Sequence, residues 1–387
     1  MEQMNKDLIA CLRSALFDEC FDCDIITCIP LASQHGLSHL LYYALAKLPQ
    51  ENRPDELLCA GLKRKAYASL IREAAQQRTV EALFDRFEEA AIRCVPLKGI
   101  VVKKFYPKPE LRYMSDIDLL VDAERTADVR RIFEEMGAHV LNYEQGDTDL
   151  YITTEGLVFE IKRTLHGEGF NQATVRFLND LLSLASPMKD RRYVSDLPNE
   201  EQYAYILCHM VKHLLDGGVG VRPVMDLWFC KKNMQLNEEK LASLLAKLKL
   251  TEFAEIAEHL ASVWFGSEKE TPMDVELGEY ILSSGSFGSE EHRVADRMLQ
   301  NKGQKSRFTY AFARFFLPYK TMRRYFPVLG KWPILLPAFW VWRLIRAIFF
   351  RRAKLTEEIS AVGDAGTRTL AQRLEFYSRC GIDISEK

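Results

Sequence analysis

The sequence predicts an α+β protein, in which a small mixed β-sheet lies between a helical N-terminal region and a helical C-terminal region. Two observations predict this order. Apolar residues recur at helical spacing in the first part of the chain and again beyond Phe170. Between these regions, from Cys94 to His166, the apolar residues form short runs bounded by polar residues and glycine, as in strands. Strands and helices that are separated along a chain in this way are typical of the α+β class.

The elements follow in order along the chain. In the N-terminal region the clearest helix is predicted over residues 55–93, where apolar positions alternate with charged faces. Strands are then predicted over residues 94–97, 115–121, 138–143, 150–154 and 157–165, with a helix over 126–136 that ends at Gly137. Further helices are predicted over residues 200–215, 223–232, 237–248 and 251–265, with loops at 266–271 and 283–291. We therefore expect four regions: helices in 1–93, the α/β core in 94–170, a helical domain in 171–300 and a basic aromatic tail in 301–387.

The composition is that of an ordinary globular protein, with 48% hydrophobic and 27% charged residues, which argues against wholesale disorder or a fibrous repeat. The net charge of −2 excludes a chain that binds polyanions over its whole surface. This average hides a division. Residues 305–354 contain twelve Lys or Arg and no acid, so the rest of the chain carries about −14.

Several features predict a cytoplasmic protein. The first twenty residues carry charges throughout and lack the apolar run of a signal peptide. No apolar stretch reaches the roughly 18 residues needed to span a bilayer. The nine cysteines are an odd number without pairing symmetry, unlike a secreted disulfide framework. Cys20, Cys23 and Cys28 are compatible with a metal knuckle, although idle thiols are the favoured interpretation because no second ligand pair follows.

The pair Asp116 and Asp118 is the first candidate for chemistry. Residues two apart on a strand point to the same face, so these carboxylates project together. They repel each other unless a cation lies nearby. A hard cation such as Mg²⁺ prefers carboxylate and phosphate oxygens. The alternative is a pair of solvated aspartates at the end of a strand.

Two neighbouring segments make the pair more informative. Upstream, Lys98 and Gly99 end a strand where a helix begins, a place where backbone amides approach a phosphate closely. Lys98 either adds a charge to that phosphate or is a solvated lysine. Downstream, Glu160 lies on a strand between apolar neighbours. A third carboxylate beside an aspartate pair is what a two-metal site for phosphoryl transfer requires.

With these residues the chain resembles the DNA polymerase beta-like nucleotidyltransferase superfamily, and within it the uncharacterised nucleotidyltransferase family. The segments that carry the resemblance are Leu97-Lys98-Gly99, Tyr106, Arg112 and Ser115 to Val121. The resemblance implies the polymerase beta-like core fold, a nucleoside triphosphate donor and two Mg²⁺ ions. It implies that Gly99 lies against the triphosphate, with Lys98, Arg112 and Ser115 nearby, and that Asp116, Asp118 and Glu160 are the catalytic metal ligands. The chain departs from the superfamily at Ile100, where a small residue is usual.

A second block supports the same resemblance. His209 and His213 lie four apart on a predicted helix, and so do Arg222 and Asp226. Taken alone, these are ordinary histidines and a helical Arg–Asp pair; a zinc site is a further alternative, without a clear third ligand. A similar arrangement follows the catalytic core in the family. The resemblance therefore implies that these four residues line the nucleotide or acceptor pocket.

The basic segment 307–354 combines Arg and Lys with Phe, Trp and Tyr, and a helix is predicted over residues 339–352, after the breaks at Pro333 and Pro337. Three interpretations remain open. The aromatic residues pack on the rest of the protein with snorkelling basic side chains, or the segment lies on an anionic membrane surface, or it binds nucleic acid.

Two functions follow as hypotheses. The first is an enzyme that moves a nucleoside monophosphate from a nucleoside triphosphate to an acceptor, with Glu160 helping to activate the acceptor. The second is an inactive relative that binds a nucleotide or acts as a scaffold at a membrane surface, which the departure at Ile100 favours. The acceptor stays open among a small molecule, a protein and an RNA end.

Overall fold

The computed structural model describes residues 2–17, 19, 24–165, 170–285, 288, 292, 293, 296, 299, 316–350 and 367–383. Cys20 and Cys23 lie outside these ranges, and so do residues 300–315 and 351–366, which include both ends of the basic segment. Cys28, the third residue of the predicted metal knuckle, is buried, with its sulfur 3.7 Å from the sulfur of Cys11.

The N-terminal region is helical, as predicted. Its helices are α1 (Glu2–Leu16), α2 (Ile25–Gln34), α3 (Leu40–Leu45) and the long α4 (Glu56–Glu89). The side chain of Asp55 accepts a hydrogen bond from the backbone N–H of Leu58 and so caps α4. The predicted helix over 55–93 therefore begins where its cap residue indicates. It ends at Glu89 because Ala91 takes a positive φ of 54°.

A five-stranded mixed sheet follows, in the order β1-β2-β5-β4-β3. The strands are β1 (Cys94–Leu97), β2 (Asp116–Val121), β3 (His139–Asn142), β4 (Thr148–Ile152) and β5 (Val158–Lys162). The helices inserted between them are the single turn α5 (Gly99–Val102) and α6 (Thr126–Glu135). Four of the five strands lie within predicted segments, and β5 ends at Lys162 rather than at Leu165. The fifth, β4, overlaps its predicted segment but begins two residues earlier.

The register of the sheet determines which side chains meet. Strand β2 is an interior strand, antiparallel to β1 and parallel to the central strand β5, and Asp118 pairs directly with Glu160. Ile117 and Leu119 point to the face that α6 covers, where Phe133 stacks on Tyr151 with ring centroids 4.2 Å apart. Because side chains alternate along a strand, the carboxylates occupy the opposite face.

The C-terminal region is again helical. Its helices are α7 (Gln172–Leu184), α8 (Asn199–Leu214), α9 (Val221–Asn233), α10 (Glu238–Leu248), α11 (Thr251–Phe265) and α12 (Pro272–Ser284). A two-stranded ribbon, β6 (Ser186–Pro187) and β7 (Ser195–Asp196), precedes α8 and was not predicted. Helix α12 continues to Ser284, so the predicted loop over 283–291 begins later than expected; its capping box of Thr271 and Asp274 fixes the start of the helix.

Buried residues of α1–α3 and of α8–α12 belong to one continuous hydrophobic cluster, which also contains Val95 and Leu120 from the sheet. A second cluster lies between α4, α6 and the other face of the sheet. The sheet is thus covered on both faces, and the carboxylate face is turned towards the helical region.

The described part of the tail contains α13 (Tyr319–Tyr325), α14 (Leu336–Phe350) and α15 (Thr367–Arg379). The prediction that Pro337 interrupts the helical structure before residue 339 was wrong, because Pro337 is the second residue of α14. Proline is tolerated there, since the first turn of a helix does not need its N–H. Within the described ranges, no helix has both the length and the apolar content needed to cross a membrane.

Candidate active site

Three carboxylates meet where β2 and β5 run side by side. One oxygen each from Asp116, Asp118 and Glu160 lie within 4.8 Å of one another. Asp118 is buried, whereas Asp116 and Glu160 are half-buried. The parallel pairing of the two strands produces this cluster, because it places Glu160 opposite Asp118 and Asp116 two residues away on the same face. The sequence predicted these three residues, and the structure brings them together.

Two lysines neutralise the most buried of these carboxylates. The ammonium nitrogen of Lys98 lies 3.0 Å from Asp118 Oδ2, and that of Lys162 lies 2.9 Å from Asp118 Oδ1 and 2.7 Å from Glu160 Oε2. Burial by itself raises the pKa of Asp118, but the two lysines outweigh it and lower the pKa to about 2. The cation that the aspartate pair requires is therefore supplied in part by the chain itself.

The other members of this cluster respond to the same charges. Burial raises the pKa of Glu160, against the opposing effect of Lys162, and the negative charge of Asp118 adds to the rise. Burial lowers the pKa of Lys162, but Asp118 and Glu160 outweigh it and raise that pKa above its ordinary value. The three carboxylates and the two ammonium groups together carry a net negative charge. All three offer the hard oxygen donors that Mg²⁺ prefers, so the residues fit the predicted metal.

Lys98 lies in a strained turn between β1 and α5. Its φ of 53° and ψ of −123° belong to a region that residues with a Cβ rarely adopt. Its ammonium group contacts Asp118, so the alternative of a solvated lysine was wrong. At Gly99 an added Cβ would lie 2.5 Å from the sulfur of Met114. A side chain at this position would therefore require Met114 to move.

Asp116 is held from the opposite side. Ser115 Oγ donates a hydrogen bond to Asp116 Oδ1 at 2.6 Å. Arg72 of α4 donates to the carbonyl oxygens of Met114 and Ser115 at 3.0 and 2.8 Å. These bonds fix the start of β2, so α4 orients the aspartates although it lies far away in sequence. Sequence reasoning missed Arg72, because no local pattern links it to β2.

Arg112 and Asp226, both predicted to bind the nucleotide, are partners of each other. Two nitrogens of Arg112 each lie 2.7 Å from an oxygen of Asp226, and the hydroxyl of Tyr106 donates to the same carboxylate at 2.7 Å. The alternative interpretation, a helical pair between Arg222 and Asp226, was wrong, since the hydrogen bonds of Asp226 go to Arg112 and Tyr106. This buried network ties α9 to the segment before β2.

Arg222 has a different environment. Its Nε is buried and has no hydrogen-bond partner among the described residues. Burial and the neighbouring charge of Arg112 lower the pKa of its guanidinium group. A buried guanidinium nitrogen without a partner is costly unless a ligand supplies an acceptor.

His209 and His213 lie on one face of α8, with their Nε2 atoms 2.9 Å apart. Burial lowers the pKa of both imidazoles, that of His213 to about 4, and the positive charge of Lys98 acts in the same direction. Both histidines are therefore neutral at pH 7. Among the described residues, the side chains that could together hold a metal ion are those of Asp116, Asp118 and Glu160. This group includes neither histidine, so the alternative of a zinc site has no support.

Two cavities adjoin the carboxylates. The aspartate cavity, of about 160 Å³, is lined by Gly99, Ser115, Asp116, His213 and Arg222, among others. The lysine cavity, of about 290 Å³, is lined by Asn142, Thr148, Lys162, Tyr205 and Lys212, among others. Lys98 and His209 line both. Lys162 and Lys212 were missed, although each has a sequence signal: Lys162 shares a strand face with Glu160, and Lys212 lies one turn after His209.

Comparisons with known proteins give one family and one structure. The model of a family described as uncharacterised nucleotidyltransferase matches residues 23–266. No curated protein matches. The solution structure of the antibiotic-resistance factor ANT(2'')-Ia matches with 14% sequence identity and a TM-score of 0.34, over 48% of this chain and 97% of that chain. The family model spans more than half of the chain, and the protein therefore belongs to the family of uncharacterised nucleotidyltransferases.

Proposed function

We propose that this protein transfers a nucleoside monophosphate from a nucleoside triphosphate to an acceptor hydroxyl or amine. The convergence of Asp116, Asp118 and Glu160 carries the proposal, together with the family to which the chain belongs. In this proposal the core of 94–170 supplies the carboxylates, and the helical domain of 171–300 supplies the facing wall. The regions 1–93 and 301–387 support this unit from either end of the chain.

Asp116, Asp118 and Glu160 would hold Mg²⁺, for which the sequence resemblance implies two ions. When bound, the metal neutralises phosphate charge and lowers the pKa of the attacking group. The triphosphate occupies the aspartate cavity, where Arg222 offers its unpaired nitrogen to a phosphate oxygen. Seven further residues are assigned to the wall of the same cavity: Lys98, Gly99, Arg112, Ser115, His209, His213 and Asp226. Arg112 and Asp226 also support this wall through their ion pair.

The reaction proceeds by in-line displacement. An acceptor oxygen or nitrogen forms a bond to the α-phosphorus, the bond from that phosphorus to the bridging oxygen breaks, and pyrophosphate leaves. The proton of the acceptor passes to Glu160, whose raised pKa suits a proton acceptor. Glu160 Oε2 accepts a hydrogen bond from Lys162, so Oε1 takes the proton.

The test is calorimetric titration with ATP, GTP, CTP and UTP, each with and without Mg²⁺, followed by a pyrophosphate-release assay. Asp116→Asn is the sharper variant, because Asp118 also holds two lysines. Asp122→Asn is the matched control, since Asp122 follows β2 but pairs with Arg93 at 3.0 Å. We expect Mg²⁺-dependent binding of one nucleotide that Asp116→Asn weakens at least tenfold and Asp122→Asn leaves intact. Full pyrophosphate release by Asp116→Asn would contradict the proposal.

The second hypothesis is a nucleotide-binding scaffold without catalysis. The two lysines on Asp118 favour it, because they already neutralise part of the charge that a metal would neutralise. A scaffold of this kind binds a nucleotide equally well with and without Mg²⁺. The titration therefore separates the two functions directly.

The tail supports a further proposal, peripheral contact with a membrane surface. Trp332, Ile334 and Trp342 are 61%, 84% and 54% exposed, and Arg323 and Lys331 are exposed in the same segment. Exposed tryptophans beside basic residues are typical of helices that lie in a membrane interface. Sedimentation with vesicles that contain phosphatidylserine tests this, and we expect Trp332→Ser with Trp342→Ser to lose the binding. Equal sedimentation with uncharged vesicles would contradict it.

A further inference from the structure

The lysine cavity has no role in the binding of the nucleotide as proposed above. It lies between the end of β5, the turn after β3 and the face of α8. Its volume of about 290 Å³ is close to the lower end of the range for pockets that bind small molecules, about 300 Å³. The cavity is therefore of a size for a small ligand or for one group of a larger one.

The charge that lines this cavity is mainly positive. Lys98, Lys162 and Lys212 contribute ammonium groups, whereas Asp147 is the one acid among the described lining residues. Asp147 accepts a hydrogen bond from Thr164 Oγ1. Lys98 and Lys162 are paired with Asp118, but Lys212 has no ion-pair partner among the described residues. One cation is therefore left for a ligand.

The positive charges around Lys212 also favour an anionic ligand. The side chain of Lys212 is exposed, but partial desolvation lowers the pKa of its ammonium group. The positive charges of Lys162 and Lys98 lower this pKa further, and the negative charges of Asp216 and Glu160 oppose them. An anion placed among the three lysines relieves this repulsion. Charged hydrogen bonds between lysine and phosphate or carboxylate are among the stronger polar contacts in proteins.

The remaining walls are mixed in character. Leu165, Phe170 and Leu178 provide an apolar surface, and the ring of Tyr205 faces the same space. On the other side Asn142 Nδ2 donates to the carbonyl of Thr148, which leaves the amide oxygen of Asn142 and the hydroxyl of Thr148 available to a ligand. This combination suits a small organic molecule with hydroxyl groups and one anionic group.

We propose that the lysine cavity binds the acceptor, and that the acceptor is a small hydroxylated molecule carrying a phosphate or carboxylate group bound by Lys212. This inference rests on the proposed nucleotidyl transfer. Lys98 and His209 line both cavities, so the two substrates meet beside the carboxylates. A hydroxyl of the acceptor attacks the α-phosphorus, its proton passes to Glu160, and pyrophosphate leaves from the side of the aspartate cavity.

The experiment measures ligand binding, without turnover, so that it does not depend on catalysis. Calorimetric titrations use ribose 5-phosphate and gluconate as anionic probes, ribose as the neutral probe and glucosamine as the cationic probe. The wild-type protein is compared with Lys212→Met, with Lys212→Arg, which keeps the charge, and with Lys247→Met. Lys247 is an exposed lysine on α10 and serves as the matched control. The nucleotide that the wild type binds is titrated into each variant.

We expect at least one anionic probe to bind, at least tenfold more weakly to Lys212→Met, with recovery in Lys212→Arg and no change in Lys247→Met. Nucleotide affinity stays within twofold in all variants, and ribose and glucosamine bind weakly. Three results would overturn the inference: no anionic probe binds, ribose binds as well as ribose 5-phosphate, or Lys212→Met weakens nucleotide binding as much as probe binding. The last result would assign Lys212 to the triphosphate.

Failure of this inference and failure of the proposed function are distinguishable. If Mg²⁺ and nucleotide bind in a manner that depends on Asp116 while the anionic probes do not bind, nucleotidyl transfer stands and the anionic small acceptor is wrong. An acceptor that is a protein or an RNA end is then the alternative. If the nucleotide itself does not bind, the proposed function is wrong whatever the probes do.

Discussion

The ammonium group of Lys162 lies between Asp118 and Glu160, 2.9 Å from one carboxylate and 2.7 Å from the other. It contacts two of the three side chains that would hold a divalent cation. Since Lys162 follows Glu160 by two residues on β5, the alternation of the strand forces both onto one face. A metal that binds to both carboxylates therefore competes with a cation that belongs to the chain.

This competition predicts that Lys162→Met binds divalent cations more tightly than the wild type. Removal of one positive charge beside three carboxylates raises the affinity by about tenfold or more, because each factor of ten requires only about 1.4 kcal/mol and two unit charges at close range interact by several times that amount. Titration with Mn²⁺, followed by electron paramagnetic resonance, measures affinity and the number of bound ions. Lys247→Met is the control. An unchanged affinity in Lys162→Met would show that the lysine does not compete.

A second prediction concerns the strained turn at Lys98. Glycine adopts a positive φ without the steric cost that a Cβ imposes. We therefore expect Lys98→Gly to be more stable than Lys98→Ala by about 1 kcal/mol in the free energy of unfolding. Both variants lose the ion pair with Asp118 equally, so the difference isolates the backbone at φ 53°. Urea unfolding measures it, and equal stability of the two variants would mean that the turn is not strained.

A third prediction concerns the buried network around Asp226. Asp226→Asn leaves the buried guanidinium of Arg112 without its counter-ion, which costs about 3–5 kcal/mol. Tyr106→Phe removes one hydrogen bond to the same carboxylate and costs about 1 kcal/mol. The two variants are compared by urea unfolding. If Asp226→Asn were no more destabilising than Tyr106→Phe, the role of Asp226 as a support would be wrong, and a direct contact with the nucleotide would become its main role.

The fourth prediction concerns stability in acid. Burial lowers the pKa of His39 to about 4, and the hydrogen bond from its Nε2 to the carbonyl of Leu111 only partly opposes this. In the unfolded chain the pKa returns to about 6.5. The contribution of neutral His39 is therefore fully present above about pH 6.5 and is lost as the pH falls towards 4, by up to about 3 kcal/mol.

His39→Gln tests this, because glutamine keeps a hydrogen-bond donor and does not titrate. Urea unfolding at pH 7, 5.5 and 4.5 gives the free energy of unfolding for both proteins. We expect the wild type to lose more stability than the variant between pH 7 and pH 4.5. His213, whose pKa is also lowered to about 4, is present in both proteins and cancels in the comparison. An identical pH dependence would show that His39 is not buried as a neutral group.

The sequence by itself determined the class of the fold, the order of the elements and the three carboxylates. Helical and strand periodicity are local properties, and Asp116 and Asp118 lie two apart on one strand, so their common direction needs no knowledge of the rest of the chain. Glu160 was predicted from its strand context and the resemblance, and the parallel register of β2 and β5 brings it opposite Asp118.

Only the tertiary structure decided which positively charged side chains pair with the carboxylates of the site, and which residues hold the site in place. Lys98 reaches Asp118 from the turn after β1, and Lys162 reaches it from the end of β5. Arg72 comes from α4, and the partner of Asp226 is Arg112. The physical reason is that ion pairs form between groups that folding brings within about 4 Å, whatever their separation along the chain. Local spacing determines the direction of a side chain, whereas the packing of helices on the sheet determines its partner.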